Sequence, residues 1–196
     1  MYTVGVTGGM GSGKSTVCSV FEVLGISVFS SDDAGKRLLQ EDPVVRAQVI
    51  EVFGEAPYVN GLLNRKALAA LVFGDPVALA RLNAIVHPAV RHAFRDWAKK
   101  QEAPYVINEA AILVESGGHT ELDHLIVVTA PDQERVARVM KRDGLTEEAV
   151  RQRLRHQTTD ETRAAVAHSI IVNDGVQLVI PQVLAVHEAL IKKAKA

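Results

Sequence analysis

The residues best suited to chemistry stand near the start of the chain, in Thr7-Gly8-Gly9-Met10-Gly11-Ser12-Gly13-Lys14-Ser15-Thr16. Gly8 and Gly13-Lys14-Ser15 have the spacing of a phosphate-binding loop, G-x-x-x-x-G-K-S. Glycines let backbone amides converge on phosphate oxygens, and a helix opening beside Lys14 adds the positive end of its dipole. In that pattern Lys14 reaches the β- and γ-phosphates of a nucleoside triphosphate, and the Ser15 hydroxyl takes a Mg²⁺ ion. Gly11, Ser12, Gly13 and Thr16 complete the expected contact set. Chance alone places such a match in roughly 1% of chains this long. A Gly-rich turn that binds nothing is the bland alternative, and the flanking pattern weighs against it.

A second group is basic. Arg135, Arg138 and Arg142 recur at i, i+3 and i+7, on one face of a helix. Like charges so placed repel by a few tenths of a kcal/mol per pair unless an anion relieves them. A phosphate would do so through the bidentate geometry that suits a guanidinium; an ordinary solvated face is the alternative. Arg138 is read as a nucleotide contact. Arg142, beside the Gly144 break, is read as a lid arginine that closes on the transferring group. Asn173, in Asn173-Asp174-Gly175, either touches the bound nucleotide or is plain turn chemistry.

These side chains need a frame, and the apolar pattern supplies one. Residues 2–6 read as a buried strand and 17–24 as a helix stopped by Gly25. Residues 26–29 form a second strand, closed by Ser30-Ser31-Asp32-Asp33. Strand, helix, strand from a phosphate loop implies a parallel sheet with right-handed crossovers. Ligands bind at the carboxyl ends of such strands, which puts Asp32 and Asp33 on the edge of Lys14. Of the pair, Asp33 is the expected cap of a helix from Ala34. Helices follow over 34–41, 43–53, 65–73 and 76–101, divided at Asp42-Pro43, Asn60-Gly61 and Gly74-Asp75-Pro76. No strand is expected in that stretch, and His87-Pro88 is expected to break its helical pattern. Strands resume at 105–108, 125–129 and 169–172, with helices from Pro131, over 146–157 and over 177–193.

Composition sets the outer bounds. A chain of 196 residues, 47% hydrophobic and 23% charged, is ordinary for a globular protein. Its 22 basic and 23 acidic residues give no global pull toward nucleic acid or membrane. The single cysteine, Cys18, excludes an internal disulfide and sits among apolar neighbours, where packing is its expected role. Seven histidines show no metal-ligand spacing, so no protein-bound zinc is expected. The chain opens on a strand rather than a signal sequence, and its apolar runs are too short to span a bilayer. A cytoplasmic enzyme is the expected class.

Taken together these stretches resemble the dephospho-coenzyme A kinase family over nearly the whole chain. The resemblance rests on TGGMGSGKST, LGISVFSSDDAGK, Phe53-Gly54, Asn64-Arg65-Lys66-Ala67-Leu68 and Val72-Phe73. Leu82-Asn83-Ala84-Ile85-Val86-His87-Pro88 is the most discriminating piece. Ile112-Leu113-Val114-Glu115, Gln133-x-Arg135, Arg153-x-x-x-Gln157 and Ile171-Val172-Asn173-Asp174-Gly175 complete it. Two positions depart from the family: Ser30 stands first where Asp-x-Asp is frequent, and Ala167-His168 replaces Ala-Asp before the last strand.

The resemblance implies a P-loop NTPase fold, three-layer α/β/α, with a parallel five-stranded sheet, a helical substrate-binding insertion and a small lid. The core is expected at 1–33, 104–140 and 164–196, the insertion at 34–103 and the lid at 141–163. The implied reaction is ATP- and Mg²⁺-dependent phosphorylation of the ribose 3′-hydroxyl of dephospho-coenzyme A, the last step of coenzyme A synthesis. Asp32 would accept or orient the proton of that hydroxyl. Lys14, Asp32 and Arg142 form the catalytic set, and His87 and Arg91 would meet the acceptor's phosphates or adenosine end. Arg65 and Glu115 are further acceptor candidates against plain surface salt bridges. The expected partners are the two small molecules, with no nucleic acid, no membrane, and a monomer or weak homo-oligomer. Two rivals are a different P-loop nucleotide or small-molecule kinase, and a regulatory GTPase. The second would need an Asn-Lys-x-Asp segment, which the sequence lacks.

Overall fold

The computed structural model describes residues 1–72, 74–155 and 157–195. Its elements run β1 (Tyr2–Thr7), α1 (Lys14–Val23), β2 (Val28–Ser30), α2 (Ser31–Glu41), α3 (Pro43–Phe53), β3 (Tyr58–Val59), β4 (Leu62–Leu63), α4 (Arg65–Val72), α5 (Pro76–Ala98), β5 (Tyr105–Glu109), β6 (His124–Thr129), α6 (Asp132–Asp143), α7 (Glu147–Arg155), α8 (Asp160–Ala164), β7 (Ser169–Val172) and α9 (Val179–Ala194). Phe73, expected to end the fourth helix, lies outside the described residues. The chain divides into two units, Met1–Ser30 with Lys100–Ala196, and Ser31–Lys99; the sequence places the helical insertion at 34–103.

The first unit is a parallel sheet in the order β2-β5-β1-β6-β7. β1 lies at its centre, with Val4 opposite both Ile107 of β5 and His124 of β6. A parallel strand flanked by helices is buried on both faces, which is why β1 and β6 read as continuous apolar runs. Side chains nevertheless alternate between the faces. Val4, Val6, Ile126 and Val128 join Val17, Cys18 and Phe21 of α1 and Val183 and Leu190 of α9. Leu125 and Val127, pointing the other way, pack with Ala110, Leu113, Leu122 and Ala167. The Phe21 ring stands edge-on to Tyr105 at 6.4 Å, and the Tyr105 hydroxyl meets His187 Nδ1 at 2.7 Å. Cys18 is buried, and that burial, reinforced by Glu109 and Glu22, raises its thiol pKa. It is packing material.

At the amino end of β6, His168, which stands where the family frequently has an acid, bonds to the neighbouring strand. The Leu125 amide donates to His168 Nδ1 at 3.0 Å, and the His168 amide donates to the Leu125 carbonyl at 2.9 Å. A carboxylate would accept the same amide.

The second unit is a helical cluster around Val45, Val49, Tyr58, Leu68 and Leu82. The Asp-Pro breakers prove to be helix starts. Asp42 accepts from the Val44 and Val45 amides and Asp75 from those of Val77 and Ala78, each followed by proline at the first helical position. Asn60-Gly61 is also more than a break. Asn60 and Gly61 take φ of 51° and 81° and close the β3–β4 hairpin, so this stretch does contain strands. α5 runs unbroken through Pro88, where only one backbone donor is lost and packing on both sides keeps the helix continuous.

Candidate active site

Between the end of β1 and the start of α1 the chain makes a tight loop, closed by the Ser12 amide on the Gly9 carbonyl at 3.1 Å. Gly13 precedes the helix with φ of 96° and offers it no side-chain cap. The amides of Gly11 and Gly13 find no protein acceptor among the described residues. The buried Ser12 hydroxyl has none either. Unspent donors at a helix N-terminus are an anion site. Lys14 Nζ turns back on the loop, to the Gly8 carbonyl at 2.9 Å and that of Gly9 at 3.4 Å. Ser15 and Thr16, the Mg²⁺ and nucleotide candidates of the sequence, lie exposed on the first turn of α1.

Other elements wall this loop in. Asn173, just past β7, donates from Nδ2 to the Ser12 carbonyl at 2.8 Å. Arg138 of α6 donates to the Asn173 carbonyl at 3.0 Å and reaches the Gly11 carbonyl at 3.4 Å. The sequence offers both as nucleotide-contact candidates; in the structure they brace the loop. Arg135 donates from Nε to the Met10 carbonyl at 3.1 Å, while the Met10 amide donates to Gln157 Oε1 at 2.8 Å. The close fit explains two glycines. A Cβ on Gly9 would sit 2.0 Å from Arg135 Nη2, and one on Gly13 would sit 2.1 Å from Asn173 Nδ2.

The three arginines at i, i+3 and i+7 therefore part company. Arg135 is buried and held by Asp132 at 3.1 Å and Asp160 at 3.5 Å. Arg138 is half-buried, with Glu134 at 3.9 Å. Arg142 is exposed at the end of α6 and bidentate on its neighbour Asp143, at 2.7 and 2.9 Å. That contact holds the Asp143 carboxyl below its ordinary range. Protein carboxylates thus supply what the spacing alone suggested an anion would.

Sequence reading missed Arg163, the largest fully buried side chain of the described residues. It pairs with Glu115 at 2.6 Å and with Asp160 at 3.1 Å. Glu115, an acceptor candidate, thus stands against Arg163 and also takes the Thr158 amide at 3.4 Å. Only the i, i+3 spacing of Asp160 and Arg163 hinted at this pair, and such spacings are common on exposed helices. A cavity of ≈ 580 Å³ opens beside this network, with Arg135, Arg151, Arg155, Gln157 and Thr158 on its walls.

Within the helical unit, α2 begins at Ser31, so Asp32 and Asp33 lie inside its first turn and neither occupies the position before it. The strand runs straight into the helix, which moves the expected start from Ala34. Asp33 pairs with Lys36 at 2.7 Å. Asp32 is exposed, two residues past the end of β2 and three before Gly35, which packs on Val86 and Val90 of α5. His87 and Arg91 each follow one of those valines, a turn apart on α5. Burial lowers the His87 pKa, and Arg91 adds to the shift. Arg65 is the exposed first residue of α4, just after Asn64, whose side chain accepts from the Ala67 amide at 3.1 Å.

Comparison with known proteins accords with this geometry. A family model described as dephospho-CoA kinase matches residues 2–178. A dephospho-CoA kinase of Bacteroides fragilis is 39% identical over 191 residues, covering 97% of this chain and 93% of the relative. A crystal structure of a Thermus thermophilus protein, 35% identical, superposes with a TM-score of 0.83 over 98% of this chain and 97% of the other. The structure of a Campylobacter jejuni dephospho-CoA kinase, 25% identical, gives 0.68 over 97% and 98%.

Proposed function

This chain belongs to the dephospho-coenzyme A kinase family, and from that premise we propose how its residues divide the work. The enzyme transfers the γ-phosphoryl group of ATP to the ribose 3′-hydroxyl of dephospho-coenzyme A. The observation that carries the assignment of roles is the loop at residues 8–14, where amides and a buried hydroxyl without acceptors among the described residues lie at the start of α1.

Phosphoryl transfer asks the protein for positioning and charge neutralisation rather than covalent chemistry. The Gly11 and Gly13 amides hold phosphate oxygens, and Lys14 exchanges the Gly8 and Gly9 carbonyls for the β- and γ-phosphates. Ser15 and Thr16 stand at the phosphates, where Ser15 would hold Mg²⁺; bound there, the ion would screen the phosphate oxygens. Asn173 lies at the adenine end of the nucleotide, and Arg138 fixes it while bracing the loop. Arg142 leaves Asp143 to meet the transferring group. Asp32 receives or orients the proton of the 3′-hydroxyl, and His87, Arg91 and Arg65 bind the acceptor. His87 serves best as a neutral donor, because its surroundings disfavour the charged form. Glu115 acts through Arg163. Residues 141–163 form the lid and the helical unit binds the acceptor. The protein works on free small molecules in the cytoplasm, as a monomer or weak homo-oligomer; no described helix is long and apolar enough to cross a membrane.

The Asp32 assignment is tested by Asp32→Asn, with Asp33→Asn as control. General-base assistance contributes about 10²–10⁴-fold, so kcat should fall roughly 100-fold or more in Asp32→Asn while binding of both substrates holds. Wild-type turnover in that variant, or a larger loss in Asp33→Asn, would assign the role elsewhere.

A further inference from the structure

We propose that Gln157, together with the Arg135–Asp160 ion pair, positions the phosphate loop by fixing the two peptide groups that flank Met10. The inference rests on the reading of residues 8–16 as the phosphate site. The amide side of Met10 is taken by Gln157 at 2.8 Å and its carbonyl side by Arg135 at 3.1 Å. Both polar groups of the loop's central residue therefore point outward to side chains from elsewhere in the chain. The Gly11 and Gly13 amides, which have no protein acceptor among the described residues, remain for the ligand. Holding the Met10 carbonyl on Arg135 turns the Gly11 amide of the same peptide the opposite way. Holding the Met10 amide on Gln157 fixes the Gly9 carbonyl, which takes the Ser12 amide and closes the loop, so the donor set is preorganised.

Arg135 is itself held in place. Its guanidinium fills the space beside Gly9 and is 7% exposed, with Asp132 and Asp160 as counter-charges. Asp160 shares its two oxygens between Arg135 and Arg163, and Glu115 closes the far end. Glu115, Arg163, Asp160, Arg135 and the Met10 carbonyl thus form one chain of charge-assisted contacts. Its positive charges are met by carboxylates, so Arg135 acts on the loop as a spacer. Gln157's bond to the Met10 amide ties the segment following α7 directly to the phosphate loop, and Arg135, Gln157 and Asp160 line the cavity beside α7.

The test measures kcat, KM for each substrate, calorimetric ATP affinity and thermal midpoint on the full chain. The variants are Gln157→Met, Gln157→Glu, Asp160→Asn and Lys14→Ala. Methionine keeps the length of Gln157 but has no good acceptor for the Met10 amide. One hydrogen bond of ordinary net worth corresponds to roughly a tenfold change, so Gln157→Met should raise KM and Kd for ATP about tenfold. KM for dephospho-coenzyme A should stay within about twofold. Gln157→Glu, whose carboxylate still accepts, should recover most of the ATP affinity, and Asp160→Asn should shift ATP affinity in the same direction as Gln157→Met. Should Asp160→Asn fail to fold, the two Gln157 variants decide. Unchanged ATP affinity in Gln157→Met, beside an inactive Lys14→Ala, overturns the positioning role and leaves the phosphate site standing. Equal losses for both substrates with a lowered midpoint and no rescue by Glu would also overturn it, as a purely structural effect. Wild-type turnover in Lys14→Ala would remove the site reading and this inference with it.

Discussion

Gly13→Ala should disable the phosphate loop through two separable causes. The first is conformational. Gly13 has φ of 96° and ψ of 25°, and an L-residue held in the left-handed region costs about 1–2 kcal/mol. The second is steric: the new methyl would lie 2.1 Å from Asn173 Nδ2, so the Asn173 side chain must leave. Its departure breaks the 2.8 Å bond to the Ser12 carbonyl, worth about 1 kcal/mol net. Together the variant should lose about 2–3 kcal/mol, a thermal midpoint lower by roughly 5–10 °C. Because the loop aims the reacting phosphate, and a misplacement near 1 Å can cost about 100-fold, kcat/KM for ATP should fall at least that far. Asn173→Ala alone should lose only the hydrogen bond. In Gly13→Ala/Asn173→Ala that bond is lost once rather than twice, so the double variant should be more stable than the sum of the singles by about 1 kcal/mol. Urea denaturation of the four proteins, with steady-state kinetics, measures each term. A wild-type midpoint for Gly13→Ala, or strict additivity in the double variant, would refute the reasoning.

Two more outcomes follow from the same geometry. Arg142→Ala should lower kcat at least tenfold and change KM for ATP less than about threefold, since a lid arginine acts in the closed transition state; equal losses, or none, would leave it a surface residue paired with Asp143. Burial, aided by Lys193 and His168, depresses the pKa of His124 to about 4. The unfolded chain therefore takes up this proton first, and stability present above about pH 6.5 should be lost between there and pH 4, by at most about 3 kcal/mol. Thermal midpoints across that range should flatten in His124→Gln, and an unchanged slope would assign the acid sensitivity to another group.

Much of this protein was legible because its signals are local. A phosphate loop is a property of consecutive residues: glycines at fixed offsets, a strand before them and a helix after. The five strands of the sheet were legible for the same reason, as short apolar runs bounded by turn residues. Local reading faltered where two signals share the same residues. Asp42-Pro43 and Asp75-Pro76 end one element and cap the next, and Asn60-Gly61 closes a hairpin whose strands are two residues each. Asp33 lies inside α2 rather than before it because β2 passes directly into the helix.

Only the tertiary structure decided what the charged side chains do. Arg135, Arg138 and Arg142 look equivalent along a helix. Yet one is buried under the loop, one braces it and one stands exposed beside Asp143. Arg163 is fully buried because Glu115, 48 residues away, and Asp160 supply its counter-charges. Burying a charge is tolerated only when its partners arrive with it. Asp160 arrives on the same helix, and Glu115 is brought by the tertiary fold from the segment after β5. A window of sequence carries backbone propensity and turn chemistry. It does not carry the distance between a carboxylate and a guanidinium on different elements, and at this site that distance separates a phosphate ligand from a brace.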